Sequence, residues 1–325
     1  MKIKEIGIIA GFLVVSAVIG ANLNAQAVRN DVITAYNEGA KVMQTDTRAA
    51  IDAFEKVITL SDQVGEDAAD LRQKAVQVLP GLYCKIAAVA LNEKKPAAEI
   101  IKASKTAISV SEKYGSEPNK EKARKLLAQG YNAMGADFFS KNDYENALRA
   151  FDSLLVINPD YLNAYYNKAL IYIKQDNAGA FEETIDLYLE KLKSTNDSIK
   201  IQKASVTALE YFRASGSKAN QANKLDDALV LLNKAAKYGN DKDLFYYFAD
   251  VYNKQKNFVG GAEYAQKGLD LETGVAEAKA KFYYQLAVAQ AGKGQTAEAC
   301  ASFKNAMYGP FAEASKAQRT NLKCD

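Results

Sequence analysis

From Tyr131 onward, large apolar residues recur three and four positions apart with small ones set between them. The first such run holds Tyr131, Met134, Gly135 and Phe138, and the next holds Ala147, Phe151 and Leu154. That spacing places one apolar stripe on each of two helices. Asn142-Asp143 interrupts the pattern and predicts the turn between them. Pro159 ends the second helix, since proline cannot donate to the helical ladder and disfavours helix at the residue before it. With Ala128 as the first residue of a 34-residue unit, the small residues Gly135 and Ala147 fall at positions 8 and 20, and Tyr131, Phe138 and Phe151 at 4, 11 and 24. Small residues there let two backbones approach closely, and the bulky ones fill the space around the contact.

The template returns along the chain. From 162 it gives Tyr165, Ala169 and Tyr172, and from 209 Phe212, Gly216, Ala228, Leu232 and Ala235. From 242 it gives Phe245, Phe248, Ala249, Tyr252, Gly261 and Gly268, and from 280 Tyr283, Leu286, Ala287, Ala299, Phe303 and Ala306. Upstream, a unit from 80 carries Tyr83, Ile86, Ala87 and Ala90, and one from about 32 keeps Gly39, Ala50 and Phe54. Pro80 reads as a helix start, where a missing N–H is harmless. The unit starts are 48, 48, 34, 47, 33 and 38 residues apart. The three long intervals imply lengthened helices, for instance through 67–78 and 117–127. The five prolines, at 80, 96, 118, 159 and 310, stand at or near expected helix boundaries, and no window alternates like a long strand.

The stretch 128–161 resembles a tetratricopeptide repeat, with eight pattern positions met in one window. The resemblance is strong from 128 onward and looser over 28–127. It implies an all-α fold, an α-solenoid of helix-turn-helix repeats. The expected divisions are a leader at 1–27, degenerate and elongated repeats at 28–127, repeats at 128–308 and a C-terminal capping helix at 309–325. The resemblance also implies a non-catalytic scaffold that holds a protein or peptide in the groove lined by its first helices. Carried over by unit position, partner contacts fall on Asn132, Tyr166, Arg213, Tyr246 and Tyr284 at position 5, Asp250 at position 9 and Phe139 at position 12. Tyr and Arg commonly carry interface energy. The other reading of the tyrosines is that they pack between adjacent first helices.

The N-terminus points to export. Lys2 and Lys4 precede an apolar run from Ile6 to Ala21, which leads to Ala25-Gln26-Ala27, the layout of a secretory leader. The run spans 16 residues, short of the roughly 20 that cross a bilayer as a helix. A periplasmic or outer-membrane-associated protein is expected, the alternative being a membrane-tethered structural subunit of an envelope assembly.

Composition then narrows the chemistry. The 325 residues include no His and no Trp, which removes imidazole-based catalysis and metal ligation and the best stacking platform for sugars. A net charge of +3 is too balanced for a phosphate-tracking nucleic-acid binder. No enzyme activity, metal or cofactor is expected. Acidic pairs such as Glu182-Glu183 and Asp226-Asp227 fall early in second helices, where negative charge suits the helix dipole.

Three cysteines remain. Cys300 and Cys324 either pair, a bond worth about 3 kcal/mol for such a loop, or stay as free thiols. If the last two helices turn at Gly309-Pro310, Cys300 faces about residue 319 and Cys324 overshoots it, unless the last turn curls back. Cys84, with no second Cys nearby, reads as a small buried apolar residue.

Overall fold

The computed structural model describes residues 27–324, so the expected leader, apart from Ala27, lies outside the described residues. Among the described residues there is no strand, and the helices come in pairs. They are α1 (Arg29–Val42) and α2 (Thr47–Val64), α3 (Ala69–Asn92) and α4 (Ala97–Lys113), α5 (Glu117–Ser140) and α6 (Tyr144–Ile157), and α7 (Leu162–Lys174) and α8 (Ala178–Lys193). There follow α9 (Ser198–Gln221) and α10 (Leu225–Tyr238), α11 (Lys242–Lys254) and α12 (Phe258–Leu271), and α13 (Ala276–Gly292) and α14 (Thr296–Asn305). A last helix, α15 (Ala312–Asn321), follows a short 3-10 turn at Gly309–Phe311. Two compact units result, one through Gly130 and one from Tyr131. Each is built of stacked helical hairpins, the arrangement of an α-solenoid.

One turn joins first helix to second almost throughout. Lys94, Asn142, Asp176, Asn223 and Lys256 each take a left-handed conformation just after a first helix, with φ between 53° and 63°. The following N–H then reaches back five residues. Asp143 donates to Phe138, Asn177 to Tyr172, Lys224 to Ala219 and Asn257 to Tyr252, at 2.8–2.9 Å. This six-to-one bond satisfies carbonyls the helix end would leave unpaired. The same residues often open the next helix. The side chains of Asp143, Asn177 and Asn257 accept from the N–H groups of Asn146, Ala180 and Gly260. One short polar sequence therefore closes one helix and starts another.

Within a hairpin, the two helices cross where a small residue faces a large one. A Cβ added at Gly135 would stand 2.7 Å from the Phe151 ring. At Gly216 it would stand 2.8 Å from Leu232 and 3.3 Å from the Ala228 carbonyl oxygen. Gly39 has the same relation to Phe54 in the first hairpin, at 3.2 Å. Around these crossings Ala147, Phe151 and Leu154, and likewise Phe212, Ala228 and Leu232, are buried.

The long intervals between repeats are divided unequally. α3, α5 and α9 each run 24 residues, against 13 for α7 and α11. The second helices before them, α2, α4 and α8, run 18, 17 and 16, against 14 for α6 and α10. Most of the extra chain is thus an N-terminal extension of the following first helix. This corrects the expectation for Pro80, which lies inside α3 and not at its start. Proline there forgoes a ladder hydrogen bond. The helix continues because its extension buries Leu71, Ala75 and Leu79 in one cluster with Ile51, Phe54 and Val57 of α2. That apolar burial outweighs the local defect.

At the C-terminus Cys300 and Cys324 are bonded, with Cα atoms 5.6 Å apart. Arg319 lies opposite Cys300 and donates from Nη1 to its carbonyl oxygen at 2.5 Å. Lys323, at φ 55°, turns the chain back, and the Cys324 N–H closes on the Arg319 carbonyl at 2.9 Å. The curled turn removes the overshoot that a straight helix would produce. Phe311, just before α15, and Leu322, just after it, join the cluster around Tyr284, Ala287 and Phe303. Cys84 is buried, its thiol 3.2 Å from the Asn119 carbonyl oxygen, and burial pushes its pKa up.

The crossing makes a test available. Gly135→Ala adds helix propensity of about 1 kcal/mol, yet should lower the melting temperature, because the new methyl drives Phe151 off its rotamer at about 1–3 kcal/mol. Adding Phe151→Leu should return part of the loss. Thermal melts by circular dichroism decide it, and a rise in melting temperature for the single variant would contradict the crossing.

Candidate functional site

Each residue expected at the partner face sits on a first helix. Asn132 and Phe139 lie on α5, Tyr166 on α7, Arg213 on α9, Tyr246 and Asp250 on α11 and Tyr284 on α13. The turn described above fixes the C-terminal end of most of these helices, so these side chains have defined bearings. They are half-buried.

Most of them reach for the next repeat. The Tyr166 hydroxyl lies 3.2 Å from Thr207 Oγ1 on α9, its ring 5.3 Å from the Tyr188 ring, and the Lys203 ammonium stands 5.2 Å from its centre. Arg213 pairs with Asp241, the residue that also caps α11 by accepting from the Leu244 N–H at 2.7 Å. Tyr246 packs edge-on against Phe282 of α13 at 6.2 Å, under the Lys281 ammonium at 5.5 Å. Burial pushes the Tyr246 phenol above its ordinary pKa, and the Asp250 carboxylate adds to the rise. Tyr284 meets Phe303 at 5.7 Å and Phe311 at 5.4 Å. Phe139 meets Tyr144 at 6.1 Å, and the buried Asn132 Oδ1 has no hydrogen-bond partner. Of the seven, Tyr246 and Asp250 come together on α11, Asn132 and Phe139 share α5, and Tyr166, Arg213 and Tyr284 stand one to a repeat. The tyrosines therefore do pack between successive helices, with part of each surface left open.

A polar cluster around Asp250 went unread in the sequence. Its carboxylate accepts from Asn220 at 2.5 Å and Gln285 at 3.0 Å and pairs with Lys254 at 2.8 Å. Lys254 also donates to the Asn220 amide oxygen, and Asn253 donates to both oxygens of Gln285, all at 2.9 Å. The cluster links α9, α11 and α13. Its signal was present as polar residues late in two first helices and midway along a third, but the pairs join different repeats, so a position-by-position reading passes over them. Asp243 lies on the same helices' face. Burial pushes its carboxyl up, but Lys281, hydrogen-bonded at 2.5 Å, and more distant Arg213 and Lys242 outweigh that and hold its pKa below the ordinary value.

The acidic residues of α8 have a structural task. Glu182 binds Lys234 at 2.6 Å, and Asp186 binds Lys237 at 2.6 Å and the Tyr238 hydroxyl at 2.9 Å, which ties α8 to α10.

One family model, described as a TPR repeat, agrees with the hairpin geometry and matches residues 135–176. The chain therefore contains a tetratricopeptide repeat, and the small-to-large crossings recur beyond that match. No curated protein matches it. Among solved structures, MamA is 19% identical, with 61% of this chain and 96% of that one covered at a TM-score of 0.33. A tetratricopeptide repeat protein from Parabacteroides merdae is 15% identical, with 90% and 99% covered at 0.29. Yeast Tom70 is 15% identical, with 92% and 66% covered at 0.33. At these scores the superpositions carry no argument about function.

The Asp243–Lys281 pair gives a pH dependence with a definite sign. A depressed carboxyl pKa adds stability above its unfolded value, about 3.9, and that stability is lost as pH falls through the lower folded value. Asp243→Asn should thus be less stable than the wild type at pH 7, by at most about 1 kcal/mol for a pair this exposed. The difference should vanish in acid. Urea melts across pH 7 to 2.5 report it, and a constant difference would remove the ion pair from the account.

Proposed function

We propose that this protein is a non-catalytic scaffold that binds a protein or peptide segment in the groove along its first helices, in the periplasm or cell envelope. The observation that supports this most is the row formed by Tyr166, Arg213, Tyr246 and Tyr284. Each is half-buried and braced, the first three against the following first helix and Tyr284 against α14 and the residue before α15. Side chains already held in place lose little further freedom when a partner arrives. Tyr and Arg in such settings supply area, a hydrogen bond and a cation at small entropic cost. The carboxylates near this face are engaged with lysines and amides, so the arrangement favours recognition over acid–base chemistry. Location rests on the leader pattern of the first 27 residues.

The test is cross-linking of a partner captured from the native envelope, followed by affinity measurement on variants. Cross-links should fall on α7, α9, α11 and α13. Tyr166→Ala with Tyr246→Ala should weaken the captured partner about tenfold or more, with helical content unchanged. Unaltered affinity, or cross-links confined to second helices, would place the site elsewhere.

A further inference from the structure

The last helix docks through its ends and not through its face. α15 carries no apolar residue larger than alanine. It buries only Ser315, whose hydroxyl has no hydrogen-bond partner. Ala312 and Arg319 are half-buried, and the other seven residues are exposed. The helix before it, α14, is also ten residues long but buries Ala299, Ser302 and Phe303. A helix of ten residues is marginal in water without packing. Burying a hydroxyl without a partner costs more than a typical hydrogen bond contributes. The face of α15 therefore adds little to its own attachment.

The attachments are local to each end. At the start, Gly309, at φ 51°, leads into the 3-10 turn, and Phe311 stands 5.4 Å from the Tyr284 ring. At the far end, Leu322 reaches the cluster of Ala287, Ala299 and Phe303, and Arg319 donates to the Cys300 carbonyl. There the Cys300–Cys324 bond ties residues 24 apart. It removes the freedom that the segment would otherwise recover on leaving. Both cysteines are half-buried, whereas Cys84 is enclosed. A disulfide that solvent reaches is open to exchange with a thiol.

We propose that the Cys300–Cys324 bond is a redox latch: a dithiol that reduces it releases residues 309–324 from the last hairpin and leaves α13 and α14 folded. One thiolate of the reductant attacks one sulfur of the pair. The S–S bond breaks, and the other cysteine leaves as a thiolate and takes up a proton. The second thiol of the reductant then resolves the mixed disulfide, so the protein gains two electrons and two protons and the reductant departs as its own disulfide. With the bond open, Leu322 and Arg319 alone hold the far end of a polar helix around an orphaned hydroxyl, and the segment comes away. Tyr284 then loses Phe311 and keeps Phe303, at 5.7 Å. Reduction thereby loosens the last side chain of the first-helix row, a consequence that rests on that row being the partner site.

Hydrogen exchange read by mass spectrometry tests this on the full chain, oxidised and after dithiothreitol. The chain has three cysteines, so the reductant has no other pair to open. Exchange across 312–321 should quicken about a hundredfold on reduction, the ratio that closing such a loop supplies, while 276–305 stays as protected as before. Cys300→Ser with Cys324→Ser should match the reduced chain. In the reduced chain Ser315→Ala, which removes the unpaired hydroxyl, should slow exchange of 312–321 about fivefold. Equal protection of 312–321 in both redox states would overturn the latch, because the cap would then hold itself. Loss of protection across 276–305 together with 312–321 would overturn it as well, since the bond would then be a staple of the whole hairpin. None of these readouts involves a partner, so failure of the latch and failure of the first-helix site are told apart.

Discussion

The structure depends on a contact that only a missing or minimal side chain permits. Where Gly135 passes Phe151 and Gly216 passes Leu232, the two helices of a hairpin lie closer than a Cβ would allow. That closeness seals the large residue against backbone and buries Ala147 or Ala228 beside it. Packing at interior density forfeits energy for every small gap, so the crossing fixes both the angle and the separation of each pair. It leaves a hairpin with two apolar edges, and those edges are what neighbouring hairpins cover.

Between hairpins the ties are of a different kind. Arg213 with Asp241, Lys281 with Asp243 and the Asn220–Asp250–Gln285 cluster join first helices through charge and hydrogen bonds. Each partner satisfies a polar group that the next repeat would otherwise strand, and leaving one unpaired costs more than the bond itself contributes. Polar ties of this sort specify register and rotation more than they add stability. They also brace the tyrosines between them, so the residues that stack the repeats are the same ones proposed to meet a partner.

Much of this was legible in the sequence, because a hairpin is a local object. The stripes at three and four, the Asn-Asp turn and the small residues at positions 8 and 20 all sit within one 34-residue window, and the structure uses them at those positions. What was not legible is what happens between windows. The Asp250 cluster joins residues 30 to 35 apart, and its pairing depends on how far one repeat rotates against the next, which no local pattern records. Pro80 misleads for a related reason. Its local preference is for a helix start, but Leu71, Ala75 and Leu79 find α2 and carry the helix across it. The tyrosine row was legible as positions and not as contacts, since position 5 names a residue without saying that Thr207 or Phe282 will meet it.

The central claim is that small and large residues at the crossing stabilise one another as a pair. A double-mutant cycle of Gly216→Ala and Leu232→Ala by urea unfolding measures this directly. Each single change should destabilise, and the double should be less harmed than the sum, because the methyl added at 216 occupies space that the truncated 232 side chain vacates. A coupling of about 1 kcal/mol or more is the predicted result. Additivity within about 0.3–0.5 kcal/mol would mean that the two residues do not meet in the folded protein, and the account of the hairpin would be wrong.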